Sequence, residues 1–359
     1  MKRILLLLLL LGIGAAAVFG MNYYNSNNVI KAYEKAGFGS TGEISAMPGS
    51  GALRVYVGDS VAEAEKSGLK FRSMDGKNNW SRKLKGEIRN LASSGECIVA
   101  VDSTGFIICF DRLGKTLWSK TLTELPDAWI SDGRGGMLVE YFRFGSGRLD
   151  YIKADGKKTD TIEIEGAKVT AFASDFGKGF TVFVIDTSGD RFQGRLMNFS
   201  PEGKMIWAKN MGEQLIYHLE YLNSELVAVV EDGLLKISKK NGEFVASQTG
   251  GKVEAFAFTE KVGAMMLKNE GNLYLYVIDK KGVLKKASQV SVDSSKIAVS
   301  EIAIISYNSE YMTIYDSKGT KKFDYDFNTV VNNIYFGKDG GIFVDMGMKL
   351  QKLEGGKKK

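Results

Sequence analysis

Apolar, β-rich runs and short polar turns alternate along most of the chain in a repeated four-strand unit. One turn of each unit ends in glycine, often followed by lysine, as at residues 111–115. A second turn, such as residues 102–105, precedes it between the two most apolar runs. The glycines of the first turn stand 37 to 47 residues apart: Gly76, Gly114, Gly156, Gly203, Gly242, Gly282, Gly319 and Gly356. A period near forty is typical of propeller blades.

The pattern predicts an all-β fold, a β-propeller of four-stranded antiparallel blades. Apolar middle strands are expected where neighbouring sheets cover both faces of a blade. We count eight blades, with seven as the alternative if the last three strands overlap the first blade. Only three strands follow the seventh turn, so residues 29–34 are expected to supply the closing strand. Blade 1 is expected to begin near residues 43–47, and residues 61–66 to form a short helical insertion.

An aromatic side chain follows several of the turn glycines at a fixed offset of four residues. Trp80, Trp118 and Trp207 hold this position, and Phe323 holds it in a later unit. A large aromatic at a constant place in each blade is expected to pack between neighbouring sheets. We therefore treat as a structural blade motif Gly76, Trp80, Asp111, Gly114, Trp118, Gly156, Gly203, Trp207, Gly242, Gly282, Gly319 and Gly356.

The N-terminus carries a separate signal. Lys2 and Arg3 precede an uninterrupted apolar run over residues 4–21, which is long enough nearly to span a bilayer. Residues 1–21 are thus a signal anchor, or alternatively a signal peptide cleaved near Ala17. Residues 22–28 are a polar tether, and residues 29–359 are the propeller. Basic residues before the run favour a single-pass membrane protein with its propeller outside the cytoplasm. Cleavage would give a secreted or periplasmic protein.

Charge and composition exclude some partners. Lys and Arg number 48 and Asp and Glu 42, and the small excess is spread along the chain. A nucleic-acid-binding protein concentrates its basic residues on one element or face. We therefore expect no nucleic-acid partner.

The Asp-x-x-Gly-Lys-x-x-Trp run is clearest from Asp111 to Trp118 and is echoed at Trp207. It resembles the repeat of the pyrroloquinoline-quinone-like (quinoprotein-type) propellers, over residues 40 to 357. That family includes quinone-dependent dehydrogenases and the propeller lipoprotein of the outer-membrane barrel assembly machine. With its leader, the chain also resembles uncharacterised membrane-anchored propeller proteins of Gram-positive bacteria. Asp160, Ala246 and Lys286 replace the tryptophan in other blades.

Residues that carry chemistry are few. The quinone enzymes of the family have adjacent cysteines, which this chain lacks, so we expect no cofactor. The single histidine, His218, falls on an innermost strand, where a packed, hydrogen-bonded role is favoured over one in the channel. Cys97 and Cys109 fall on the middle strands of blade 2. Two buried thiols are favoured there over a disulfide. We expect no metal site and identify no catalytic residue.

These observations predict a non-enzymatic, extracytoplasmic propeller that acts as a protein-interaction scaffold at the cell envelope. Its partner would be an envelope protein or a cell-wall component, and residues 4–21 would hold it to the membrane. The alternatives are a small-molecule sensor and a quinone-dependent oxidoreductase with a degenerate site.

Overall fold

In the part of the chain that the structure describes, thirty-two strands form eight antiparallel sheets of four strands each, which confirms the eight-bladed propeller. The computed structural model describes residues 38–44, 52–57, 59–74, 76–94, 97–131, 136–143, 146–175, 177–186, 189, 191–337, 340–347 and 349–355. The predicted leader and polar tether lie outside these residues, as does Gly356. They stay predictions.

Each blade takes four strands that we letter A to D in the order in which they pair. Blade 1 comprises β2 (Leu53–Val57), β3 (Ser60–Glu65), β4 (Gly68–Ser73) and β5 (Trp80–Lys83), and blade 2 comprises β6 (Ile88–Ser94), β7 (Cys97–Asp102), β8 (Phe106–Asp111) and β9 (Thr116–Thr121). Blade 3 comprises β10 (Ala128–Ser131), β11 (Met137–Arg143), β12 (Ser146–Ile152) and β13 (Ile162–Glu165), and blade 4 comprises β14 (Ala167–Ser174), β15 (Phe180–Asp186), β16 (Gln193–Phe199) and β17 (Met205–Gly212). Blade 5 comprises β18 (His218–Leu222), β19 (Glu225–Val230), β20 (Gly233–Ile237) and β21 (Phe244–Thr249), and blade 6 comprises β22 (Lys252–Phe258), β23 (Gly263–Asn269), β24 (Asn272–Ile278) and β25 (Leu284–Val290). Blade 7 comprises β26 (Lys296–Val299), β27 (Ala303–Tyr307), β28 (Tyr311–Asp316) and β29 (Lys321–Asp326), and blade 8 comprises β30 (Asn333–Phe336), β31 (Ile342–Asp345), β32 (Leu350–Gly355) and β1 (Phe38–Ile44).

The N-terminal part of the chain closes the ring, as expected, but with a different segment from the one predicted. β1 pairs antiparallel with β32, and Phe38 lies opposite Gly355. The prediction that residues 29–34 fill this place is therefore wrong. The prediction that residues 43–47 begin blade 1 is also wrong, because Glu43 and Ile44 belong to the closing strand. Blade 1 begins with β2.

Strand A of each blade lies at the centre of the ring, since neighbouring blades contact through these strands, as β14 does with β18. The chain runs outward from A to D, and because successive strands are antiparallel, the loops lie on two opposite faces of the ring. We call the face made by the A–B and C–D turns the turn face. The face made by the B–C turns and the connections from strand D to the next strand A is the loop face.

The core is divided among the eight seams between blades, each of which holds one cluster of buried apolar side chains. The middle strands supply most of it, and every residue of β31 is buried. Outer strands such as β21 alternate between exposed and half-buried positions, as expected at a solvent-facing edge. Among the described residues, the smallest cluster is at the seam between blades 8 and 1.

Residues 61–66 do not form the predicted helical insertion. They fall in and just after β3, five of whose six residues are buried. Glu63 is 1% exposed and pairs with Arg54 on β2 and with Arg72 on β4. A strand can bury this carboxylate because its two neighbouring strands each supply a guanidinium group.

Candidate functional site

The seven predicted turn glycines that the structure describes lie in C–D turns on the turn face. They have φ between +69° and +92°, the left-handed region that favours glycine. Asp111 supports its turn through Oδ1, which accepts the backbone N–H groups of Leu113 and Lys115 at 2.9 and 2.8 Å.

Each motif tryptophan docks on the C–D turn of the following blade. Trp207 shows the arrangement: its Nε1 donates to the Lys239 carbonyl at 2.7 Å, and its ring covers Gly242 so closely that an added Cβ would lie 2.6 Å from it. Trp80 and Trp118 make the same contacts with the turns of Gly114 and Gly156. Phe323 instead packs within the seam between blades 7 and 8. The motif therefore joins neighbouring blades.

In two of the three blades where tryptophan is replaced, a polar side chain two residues further along joins the blades, which the sequence reading missed. In blade 5, Gln248 donates to the Gly282 carbonyl at 2.8 Å and accepts the Leu284 N–H at 2.6 Å. In blade 6, the Ser288 hydroxyl donates to the Gly319 carbonyl at 2.6 Å. The sequence does contain an indication of this contact: a polar residue stands two places after Ala246 and Lys286, on the same face of the strand.

The seam between blades 8 and 1 relies on polar contacts. The Tyr56 hydroxyl donates to Asp345, and its ring stacks on Tyr335 with centroids 4.2 Å apart. Arg54 donates to the Gly347 carbonyl at 2.7 Å. Burial, and then the Asp345 carboxylate, raise the pKa of Tyr56 far above its usual range. The bonds of Tyr56 and Arg54 join blade 1 to blade 8, so we assign these groups to ring closure.

The two cysteines lie on β7 and β8 in the expected register, with Val99 opposite Cys109 and Cys97 opposite Asp111. Both are free thiols, and Cys109 is fully buried. A hydrogen bond with Cys97, together with burial, raises the pKa of the Cys109 thiol well above its usual range. A neutral, buried thiol is a poor nucleophile.

His218 opens the innermost strand of blade 5 and packs against blade 6. Its ring lies 5.2 Å from that of Phe256 and 5.3 Å from that of Phe258, and its Nε2 lies 3.5 Å from a carboxylate oxygen of Glu220. The side chain stays 35% exposed. The cluster combines two aromatic faces with a donor and a carboxylate, an arrangement suited to a small polar ligand.

The loop face combines exposed apolar side chains with acidic ones. Leu125, Tyr217, Val292 and Val330 are 45 to 63% exposed, and each lies on a different connection from one blade to the next. These connections cross the face from rim to centre. The described residues in the loops of this face include four Lys and Arg against nine Asp and Glu. Sequence reasoning missed this face because its residues come together only through the ring.

The described residues contain neither a metal-binding cluster nor a membrane-spanning helix. No group of three or more His, Cys, Asp or Glu in this part of the chain is placed to hold a metal ion. Within the same ranges, no helix has the length and apolarity needed to cross a bilayer.

A family model described as "Family of unknown function (DUF5711)" matches residues 24–349. No curated protein sequence matches the chain.

Solved structures match the fold over most of the chain. BamB from Moraxella catarrhalis is 12% identical with a TM-score of 0.56, over 88% of this chain and 99% of that chain. The Dos1 propeller is 13% identical with a TM-score of 0.59, over 90% and 96%. A europium-containing methanol dehydrogenase is 11% identical with a TM-score of 0.54, over 87% and 85%. At these identities the likeness shows the fold alone, a β-propeller.

Proposed function

Since the chain belongs to DUF5711, a family of unknown function, its role has to be argued from its surfaces, and we propose that it is a non-enzymatic protein-interaction scaffold. The propeller works outside the cytoplasm, held to the cell membrane through residues 4–21. Its partner is an envelope protein or a cell-wall component.

The loop face is the observation that carries this proposal. Four apolar side chains stand in solvent on four separate connections, where they contribute nothing to the core. An exposed apolar patch rimmed by charged groups marks a protein-docking surface, and we propose that these four side chains contribute to one such patch. The net acidic loops around them favour a partner with basic groups.

The leader supports the location. Lys2 and Arg3, which precede the apolar run, stay on the cytoplasmic side of the membrane. The residues that follow the run are therefore directed to the outside.

The test is site-specific photocrosslinking of the full chain in intact cells. A photoreactive amino acid is placed at Val292 or Val330 on the loop face. The matched control is Leu113, which is 69% exposed on the turn face. We expect one discrete protein adduct at both loop-face positions and not at Leu113. Adducts of equal strength at all three positions, or none at the loop face across several growth conditions, would refute the scaffold.

A second candidate function, a small-molecule sensor, is favoured by the His218 cluster. A thermal-shift screen of the full chain against small polar metabolites tests it, with His218→Ala as the control variant. The sensor predicts a ligand-induced rise in the melting temperature that His218→Ala removes. If no compound gives a rise that depends on His218, this candidate is excluded.

A further inference from the structure

The turn face and the loop face differ in charge, and the turn face is where the chain enters the propeller. We infer that the turn face lies against an anionic phospholipid bilayer, with the loop face turned away from it. This inference rests on the proposed membrane tether. It adds an orientation and a lipid class that the tether alone does not define.

The point of entry is fixed by the closing strand. β32 is strand C of blade 8, and its last residue, Gly355, lies at the turn face. Phe38, the first residue of β1, pairs with Gly355. Residues 22–37 are therefore all that separates the apolar run from the turn face. Fully extended, these residues reach at most about 55 Å, at roughly 3.4 Å per residue.

The charge of the turn face suits an anionic surface. Every C–D turn of blades 1 to 7 contains Lys or Arg, and the described residues of these turns include twelve basic against five acidic ones. The described residues of the A–B turns, nearer the centre, have two basic against four acidic. The outer ring of this face is thus basic, whereas the loop face is acidic on both its B–C turns and its connections. Lysines close to an anionic leaflet are attracted to it, and acidic loops are repelled.

Exposed apolar side chains accompany these lysines. Met205 and Ile206 follow Lys204 at the C–D turn of blade 4, and each is more than half exposed. Phe244 follows the turn of blade 5, and the Nζ of Lys209 lies 4.3 Å from the centre of its ring. Apolar side chains interleaved with lysines are the combination that binds at a lipid headgroup boundary. A protein partner at the turn face would have to fit into the gap that the short tether leaves between this face and the bilayer.

The test reconstitutes the full chain in lipid nanodiscs of phosphatidylcholine alone or of phosphatidylcholine with 30% phosphatidylglycerol, a composition chosen to give about the charge of an anionic leaflet. Acetylation rates of individual lysines are measured by mass spectrometry. Lys115, Lys204, Lys240 and Lys281 are exposed on the turn face, and Lys66, Lys85, Lys252 and Lys268 are exposed at the loop face. We expect the first four to react at least threefold more slowly in the anionic discs, and the second four to react equally in both.

Two matched variants give the control. One changes the four turn-face lysines to glutamine, and the other changes the four loop-face lysines, so that both lose the same charge. Lys157 and Lys318, which remain on the turn face, should lose their lipid-dependent protection only in the first variant. Equal acetylation in both lipids, or protection of the loop face, overturns the orientation. A chain that does not enter the discs at all overturns the tether and the orientation together, whereas incorporation without protection overturns the orientation alone.

Discussion

The contact between Trp207 and Gly242 allows a substitution whose cost can be separated into two parts. Gly242→Ala places a Cβ at a φ of +71° and 2.6 Å from the Trp207 ring. The left-handed backbone costs about 1–2 kcal/mol for a residue with a Cβ, and forcing an atom into a packed contact costs about 1–3 kcal/mol more. We therefore expect the free energy of unfolding to fall by about 2–5 kcal/mol.

Gly76 provides the matched control. Its φ is +69°, but no heavy atom comes within 4 Å of an added Cβ. Gly76→Ala should therefore cost only the backbone part, about 1–2 kcal/mol. Trp207→Ala, which removes a buried ring and its hydrogen bond, should cost about 3–5 kcal/mol by itself. In the Trp207→Ala background, the cost of Gly242→Ala should fall to that of Gly76→Ala, because the ring that the added Cβ would meet is absent.

The assay is urea unfolding of the full chain in detergent micelles, followed by far-ultraviolet circular dichroism so that loss of a tryptophan does not remove the signal. The midpoint shift is the measure, with an unchanged slope required for the comparison. The double-mutant cycle should give a coupling of about 1–3 kcal/mol. Equal costs for Gly242→Ala and Gly76→Ala, or a cycle without coupling, would show that the ring does not dock on the turn.

Three further predictions use the same preparation. Gln248→Ala should lower the free energy of unfolding by about 1–3 kcal/mol, because two hydrogen bonds to the turn of blade 6 are lost; no change in the urea midpoint would contradict this role. Burial favours a raised pKa for Asp102, but hydrogen bonds from Thr104, Gly86 and Phe106 outweigh it and lower that pKa. Asp102 should therefore stabilise the fold fully above about pH 4, the pKa of Asp in the unfolded chain, and this stabilisation should be lost as the pH falls through the lower folded pKa. Asp102→Asn should make the free energy of unfolding less dependent on pH in this acid range. An acid-unfolding profile identical to that of the unsubstituted chain would contradict this prediction. Cys97 and Cys109 should give an intact mass with both thiols reduced, and the buried Cys109 should alkylate only on unfolding, whereas Cys97 is half-buried; a mass lower by the two hydrogens of a disulfide would show the alternative.

The repeat was predictable because its defining turn needs one glycine per blade, and the glycines recur at regular spacing. The closing strand was harder, because β1 and β32 are joined by pairing alone and no turn links them. Any β-compatible segment near the N-terminus fits that pattern, so residues 29–34 were as plausible as Phe38–Ile44. Tertiary pairing also decided β3, where Arg54 and Arg72 neutralise a glutamate that sequence preference would place on a helix surface.

The candidate surfaces were the least predictable part. Val292 and Val330 are ordinary loop residues in the sequence, and only the ring brings their connections to one face. The polarity between the two faces is hidden for the same reason, because basic C–D turns and acidic connections alternate along the chain and cancel in its composition.

Closure by β1 also affects how the protein is made. The first strand of the propeller to be synthesised, β1, stays unpaired until the last strand, β32, exists. Once β32 is made, its edge is open to pairing with another molecule until β1 docks on it. A second chain that donated its own β1 would complete the sheet equally well, which makes exchange of this strand between neighbouring copies the characteristic assembly error of this architecture.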